Sequence, residues 1–558
     1  MNKQKQFIMT VALLAVFFLV VPFFVNLTTR KVETKGNVAK NVIVLMMDGC
    51  GSTHTTLTRW YKGTPLALDS MVVGTVKTYN AESIITDSAP AATAFACGVK
   101  TSDKFIGILP DKVVTPGVNV PKEEDKCKPA ASVLEGAKLV GKATGLVATS
   151  NIQHASPACF SSHWPDRNNY NEIAQQQVYE GIDVVFGAGS QYLLPKGQKG
   201  TRTDGEDMTQ ALADMGYDFI DNKQQLADYN GNKVWGLFSE TTLSYEFDRR
   251  KLNPSQPSLA QMTSKAIDIL SKDEDGFFLF VEGSKIDWAS HANDPVGVIS
   301  DVLAFDDAVN VALEYARKDG DTLVMAFADH GNGGMTIGNS TTNSTYSKLS
   351  LDQALGPIRK ATLTGEGLQR VLSGSKDEAK IKEVLSKYYG INDLKDTELE
   401  DIKKGIENKY DLSYIFGPMI SSRSAVGWTT TGHSGEDLTL YAYGPCKPAG
   451  LIENTDIAKT VASAFGFDLN YINGRLYQRA DLLLEPKGMT VTIDKTDPEN
   501  LALEVKSGDK TAILTVSKNI CKIGATEHKL EGLVIYVSKT DKVFVPMQTL
   551  ELLTEEGF

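Results

Sequence analysis

Residues 41–47 read Asn-Val-Ile-Val-Leu-Met-Met, and an aspartate, Asp48, follows directly. Such a run is too short for a buried helix and shows no polar alternation, so it reads as a strand covered on both faces. Similar runs recur at 144–149, 183–186, 277–281 and 322–328, with amphipathic stretches between them. Asp294 and Pro295 read as an N-cap and a first-turn proline, opening a helix to about Arg317 that Asp319-Gly320-Asp321 ends. Short apolar strands alternating with helices predict an α/β fold, a central mostly parallel sheet flanked by helices.

In open sheets of this kind, ligands bind beyond the carboxyl ends of the strands. Asp48 follows the 41–47 run, Glu282 follows 277–281, and Asp329 with His330 follows 322–328. One acid there is an ordinary cap; three, with a histidine, predict a metal cluster. Asp287 and His291, spaced i, i+4, would share one helix face and could chelate one ion. His433 lies in Thr431-Gly432-His433-Ser434-Gly435, a turn unsuited to a core histidine, and the chain has only seven histidines. Imidazole with carboxylate suits zinc, whereas an all-oxygen set suits magnesium.

Ser88, in Thr86-Asp87-Ser88-Ala89-Pro90, stands ahead of an alanine-rich stretch. It reads either as a helix cap or as a nucleophile at a helix N-terminus, where dipole and amides favour phosphate. No Gly-x-Ser-x-Gly elbow occurs, so a metal rather than a triad histidine would have to activate the hydroxyl.

Together, Asp48-Gly49, Thr86-Asp87-Ser88-Ala89, Gln153-His154-Ala155-Ser156-Pro157, Val281-Glu282-Gly283-Ser284-Lys285-Ile286-Asp287, His291, Ala328-Asp329-His330-Gly331 and Thr431-Gly432-His433 resemble the alkaline phosphatase family. The resemblance covers roughly residues 40–340 and 420–470, in the family's order. It implies hydrolysis of small phosphate monoesters through a phosphoserine at Ser88, with two zinc ions and one magnesium per subunit. One zinc would be held by Asp287, His291 and His433, and the other by Asp48, Asp329 and His330. Magnesium would be held by Asp48, Ser156 and Glu282. Arg167 lies 13 residues after His154, the family's separation for the arginine that grips phosphate, and Asp87 would orient it. His154 stands where some members have aspartate, and Trp288 where others have lysine or histidine; the pair resembles certain bacterial enzymes. The 103-residue interval from His330 to His433 (433 − 330) resembles members with a large insert near a homodimer interface. The closest rivals are a phosphodiesterase or another hydrolase of the superfamily. A sulfatase would carry Cys-x-Pro-x-Arg at the nucleophile, which is absent.

The 558-residue chain exceeds what one core usually serves. The reading divides it into an N-terminal segment (1–35), a catalytic domain (36–341 and 424–484), an inserted crown-like subdomain (342–423) and a small β-rich C-terminal domain (485–558). The insert is polar and expected to pack on the catalytic domain rather than form a large core of its own. The tail is expected to be dispensable for catalysis; its end faintly resembles β-rich modules appended to bacterial cell-surface proteins. Lys3 and Lys5 precede an uncharged apolar run at 7–27, which reads equally as a signal peptide or as an N-terminal membrane anchor. Either places the catalytic part outside the cytoplasm, secreted or tethered. A net charge of −12 argues against nucleic acid as a specific partner, because such binding wants a basic footprint. The six cysteines form no Cys-x-x-Cys pair, and their spacing gives no disulfide pairing.

Overall fold

The computed structural model describes residues 39–558, so the apolar 7–27 segment lies outside the described residues. Among those described, no helix is long and apolar enough to cross a membrane. The sheet contains β1 (Asn41–Met47), β2 (Val72–Lys77), β3 (Ala143–Asn151), β4 (Val184–Ala188), β5 (Asp218–Ile220), β6 (Val234–Leu237), β7 (Phe277–Gly283) and β8 (Thr322–Phe327). Strands Leu438–Tyr443 and Gly450–Glu453 complete its ten, in the order Gly450–Glu453, β2, Leu438–Tyr443, β8, β1, β7, β3, β4, β6, β5. Only Leu438–Tyr443 runs antiparallel to its neighbours; the remaining pairings are parallel.

Every residue of β1 and β7 is buried, because helices cover both faces. On one face Ile43, Leu45, Leu279 and Val281 pack with Phe305 and Leu313 of the helix Pro295–Asp319. On the other, Phe278 and Phe280 meet Phe160, with ring centroids 5.7 and 4.3 Å apart, and Phe327 meets Phe95 at 5.0 Å. Each such side chain, fully buried, is worth roughly 1.5–3 kcal/mol. The mostly parallel sheet agrees with the sequence reading, and Asp294 caps its helix as expected, its side chain accepting from Val296 N.

The segment 342–423 folds into five α-helices, among them Gly365–Leu372 and Glu378–Tyr389. Their apolar stripes, including Leu355, Leu368, Ile381, Ile402 and Phe416, join Leu57, Val296 and Ile299 in one buried cluster. The insert packs on the catalytic part through this shared cluster, one apolar stripe per helix being diluted in sequence by lysine and glutamate.

Beyond residue 485 the chain forms a five-stranded antiparallel sheet from Thr490–Asp494 to Thr526–Lys529. The last two strands, Ile535–Val537 and Lys542–Val545, make a three-stranded sheet with Gln478–Arg479 upstream. A helix, Gln548–Glu555, follows these strands. All six cysteines are free thiols, five of them buried.

Candidate active site

The four central parallel strands deliver their carboxyl ends to one edge, and the site forms there. Asp48 leaves β1 fully buried, and Asp329 and His330 follow the end of β8 after one intervening residue, Ala328. Glu282 lies inside β7, opposite Met46, rather than after the strand as the sequence reading had it. Gly49 follows Asp48 with φ +68°, and a Cβ there would sit 2.6 Å from Asp287 Oδ1, so only glycine permits this approach.

Three groups of side chains converge, each with ligand atoms within 4.8 Å of one another: Asp287, His291 and His433; Asp48, Asp329 and His330; and Asp48, Glu282 and His154. In the first, the helix Lys285–His291 presents Asp287 and His291 on one face, 3.3 Å apart. His433 Nε2 lies 3.6 Å from Asp287 and 3.3 Å from His291 Nε2. In the second, His330 Nε2 lies 3.1 Å from Asp329 and 3.6 Å from Asp48.

The histidines are oriented from behind. His291 Nδ1 meets the Thr431 carbonyl at 2.6 Å, His433 Nδ1 meets the Thr86 carbonyl at 3.0 Å, and His330 Nδ1 meets the Gly331 carbonyl at 3.3 Å. A carbonyl at Nδ1 fixes the tautomer whose Nε2 lone pair points inward, ready for a cation. These carbonyls were unreadable in the sequence. So was Asn332, whose Nδ2 donates to Asp287 Oδ1 at 2.6 Å; its place two residues after His330 was the only available clue.

The donors fit divalent cations on one independent observation. Both carboxylate oxygens of Asp48, Asp329 Oδ2 and Glu282 Oε1 are buried without a hydrogen-bond partner. Buried polar atoms rarely go unpaired, so a cluster of acceptors without donors marks a place for positive charge. Burial and the crowding of acids push Asp48 well above the usual carboxylate range and Glu282 up to about 8. Burial also works against the Asp287 charge, but contact with His291 holds its carboxyl well below that range.

Ser88 opens the helix Ser88–Cys97, and Asp87 takes the N-cap position. The Ser88 hydroxyl therefore caps nothing; Oγ lies 3.1 Å from His330 Nε2. Arg167 reaches the same place, with Nη1 donating to Asp87 Oδ2 at 2.6 Å and Nη2 lying 3.1 Å from His154 Nε2. Its loop is anchored by the bridge between Ile106 and Trp164 and by Arg167 N donating to the Lys104 carbonyl. Trp288 stands edge-on to His154, ring centroids 5.9 Å apart. The acids, the histidines, Ser88, Arg167 and Trp288 singled out in the sequence thus meet at one sheet edge, and Ser156 reaches Glu282 there.

The alkaline phosphatase family model matches residues 39–467. The chain belongs to the alkaline phosphatase family. It is 36% identical to alkaline phosphatase 3 of Bacillus subtilis, over 78% of this chain and 92% of that protein. It is 32% identical to the repressible alkaline phosphatase of Saccharomyces cerevisiae, over 84% of this chain and 87% of that protein. Among solved structures, the Thermus thermophilus alkaline phosphatase superposes with a TM-score of 0.68 at 28% identity, covering 78% of this chain and 93% of that one. The activity of this alkaline phosphatase is the hydrolysis of phosphate monoesters, and its clustered histidines and carboxylates match the metal dependence of the family.

Proposed function

We propose that this alkaline phosphatase works in two steps through Ser88, with two zinc ions and one magnesium per subunit. Asp287, His291 and His433 would hold one zinc, and Asp48, Asp329 and His330 the other. Asp48, Ser156 and Glu282 would hold magnesium; His154 stands beside that group, but with Nε2 accepting from Arg167 its Nδ1 carries the proton and offers no lone pair to a cation. When bound, these cations supply positive charge at the phosphate oxygens and lower the pKa of the serine hydroxyl and of the hydrolytic water.

Ser88 Oγ attacks phosphorus, the ester P–O bond breaks, and the alcohol leaves as phosphoserine forms. Water then attacks the phosphoserine, returning Ser88 and releasing inorganic phosphate. Arg167 grips two non-bridging oxygens with its planar fork, and Asp87 holds the guanidinium in place. The open amides at the start of Ser88–Cys97 favour the same anion. The observation that carries this reading is the uncapped Ser88 hydroxyl at a helix N-terminus beside His330.

We read the protein further as a homodimer, working outside the cytoplasm, with residues 1–35 as leader or membrane anchor. The domain limits proposed from sequence are kept, with 342–423 as the insert and 485–558 as the tail.

The test is to trap phosphate in acid and map it. Phosphate is expected on Ser88, and Ser88→Ala should lower turnover by several orders of magnitude with zinc content unchanged. Phosphate recovered on another residue would sink the assignment. Chelation should abolish activity, and zinc with magnesium should restore it.

A further inference from the structure

Lys285 is among the largest fully buried side chains, with no exposure to solvent. A buried ammonium is costly unless paired, and it touches no ligand atom of the three metal-binding groups. Its Nζ donates to Glu366 Oε2 at 2.8 Å, and Glu366 belongs to the insert helix Gly365–Leu372. The same Nζ lies 4.2 Å from the centroid of the Tyr245 ring and 4.8 Å from that of Trp288. Lys285 and Trp288 are spaced i, i+3, so they share one face of the helix while Asp287 and His291, at i, i+4, share another.

From Trp288 the contacts continue without a gap. Its ring stands at 77° to His154, and His154 Nε2 lies 3.1 Å from Arg167 Nη2. An ammonium over the indole face fixes the plane of that ring, because a cation prefers the face of the π system. The ring edge in turn limits where the His154 imidazole can lie. The insert is pinned at the same point: Thr364 N and Oγ1 donate to Asp248, and Gly365 N donates to Asp294.

We propose that Lys285, clamped by Glu366 of the insert, is a positioning residue that holds Trp288 and, through it, the His154–Arg167 pair that receives phosphate. The proposal rests on Arg167 being the phosphate ligand. The insert thereby acts on the site through one ion pair, between the buried Lys285 and the partly exposed Glu366, without touching substrate.

The probe is inorganic phosphate, titrated by calorimetry into the protein loaded with zinc and magnesium. Lys285→Met is expected to weaken phosphate binding roughly tenfold, and to raise KM more than it lowers kcat, with zinc content at the parent level. Lys285→Arg should restore binding, because it keeps both the charge and the cation–ring contact. Glu366→Gln should weaken binding in the same direction to a smaller degree, and serves as the test if Lys285→Met does not fold. Lys285→Met combined with Trp288→Phe should be no worse than the more damaging single change, since both act along one path. Parent-like phosphate affinity in Lys285→Met or Glu366→Gln, or strict additivity with Trp288→Phe, overturns the proposal. Arg167→Ala is the control. If it weakens phosphate while Lys285→Met does not, the relay alone falls. If Arg167→Ala leaves phosphate binding unchanged, the assignment of Arg167 falls and the relay with it.

Discussion

Arg167 stands between one acid and one neutral ring, and that decides what it can recognise. Burial opposes its charge, but Asp87 more than compensates and keeps it cationic. His154 stays neutral, since burial and the adjacent guanidinium lower it to about 3. A neutral imidazole can accept from Arg167 without cancelling its charge. A monoester dianion offers two oxygens to the fork, whereas a diester replaces one with a bulky group and carries one charge fewer. Charge-assisted hydrogen bonds are worth roughly 1.5–3 kcal/mol each. Arg167→Ala should therefore lower kcat/KM for a monoester by on the order of 100-fold or more, and for a diester far less. Steady-state kinetics on matched substrates checks this, and equal small losses on both would remove Arg167 from the site. At this scale the sequence was highly legible: Ser88, the acids and the histidines all stood in short motifs. What it hid were backbone partners such as the Thr86 and Thr431 carbonyls, because a carbonyl leaves no mark in residue type.

Among the elements, β1, β3, β7 and β8 were readable because a strand buried on both faces must be apolar throughout. The strand β2 and the edge strand β5 were not, since half-exposed residues blur into loop composition. Nor was the insertion of Leu438–Tyr443 between β2 and β8, a pairing between segments hundreds of residues apart. The helix Pro295–Asp319 carries a prediction of its own. Asp294 accepts from Val296 N at 2.9 Å through Oδ1 and from Gly365 N at 2.9 Å through Oδ2. Asp294→Ala removes a cap and strands a buried donor, a loss of roughly 2–4 kcal/mol. Asp294→Asn, which keeps one acceptor, should cost less; urea unfolding measures both. A second prediction concerns the helix Val133–Leu139, which carries Glu135. Glu135 lies 3.2 Å from His163 Nε2, and Tyr477 donates to it. Burial opposes both charges, but each partner sustains the other, so His163 is raised above 6.5 and Glu135 lowered below 4.5. The raised histidine stabilises below its ordinary value and loses that contribution as pH rises through its folded pKa. The lowered carboxylate stabilises above its ordinary value and loses that contribution in acid. The pair should therefore help most at about pH 4.5–6.5, between those ordinary values. Removing one partner of a buried pair costs roughly 3–5 kcal/mol. His163→Gln should lower Tm more at pH 6 than at pH 9; an equal drop at both would show that the histidine is neutral in the fold.

The whole molecule is more closely knit than its sequence divisions imply. The tail closes a sheet around Gln478–Arg479, Arg475 pairs with Glu531 at 2.6 Å, Lys518 with Glu206 at 2.5 Å, and Gln176 donates to Ser517. Deleting 485–558 would expose Leu476, Tyr477 and Ala480, which are now buried. The deletion is expected to lower Tm and yield, with the surviving folded fraction keeping its turnover per bound zinc. No turnover in metal-loaded, folded protein would make the tail part of the catalytic body. One further consequence follows from the two-residue pairing of Gly331–Asn332 with His433–Ser434, which sets the end of β8 beside a segment lying beyond the whole insert. During synthesis the chain leaves the ribosome from its N-terminus, so Ser88, Asp48 and His330 emerge long before His433. No nascent chain shorter than this can complete the Asp287–His291–His433 group. On the ligand set proposed above, a chain still short of residue 433 of its 558 lacks one of the three groups for that zinc, and so builds its metal centre late in its own translation.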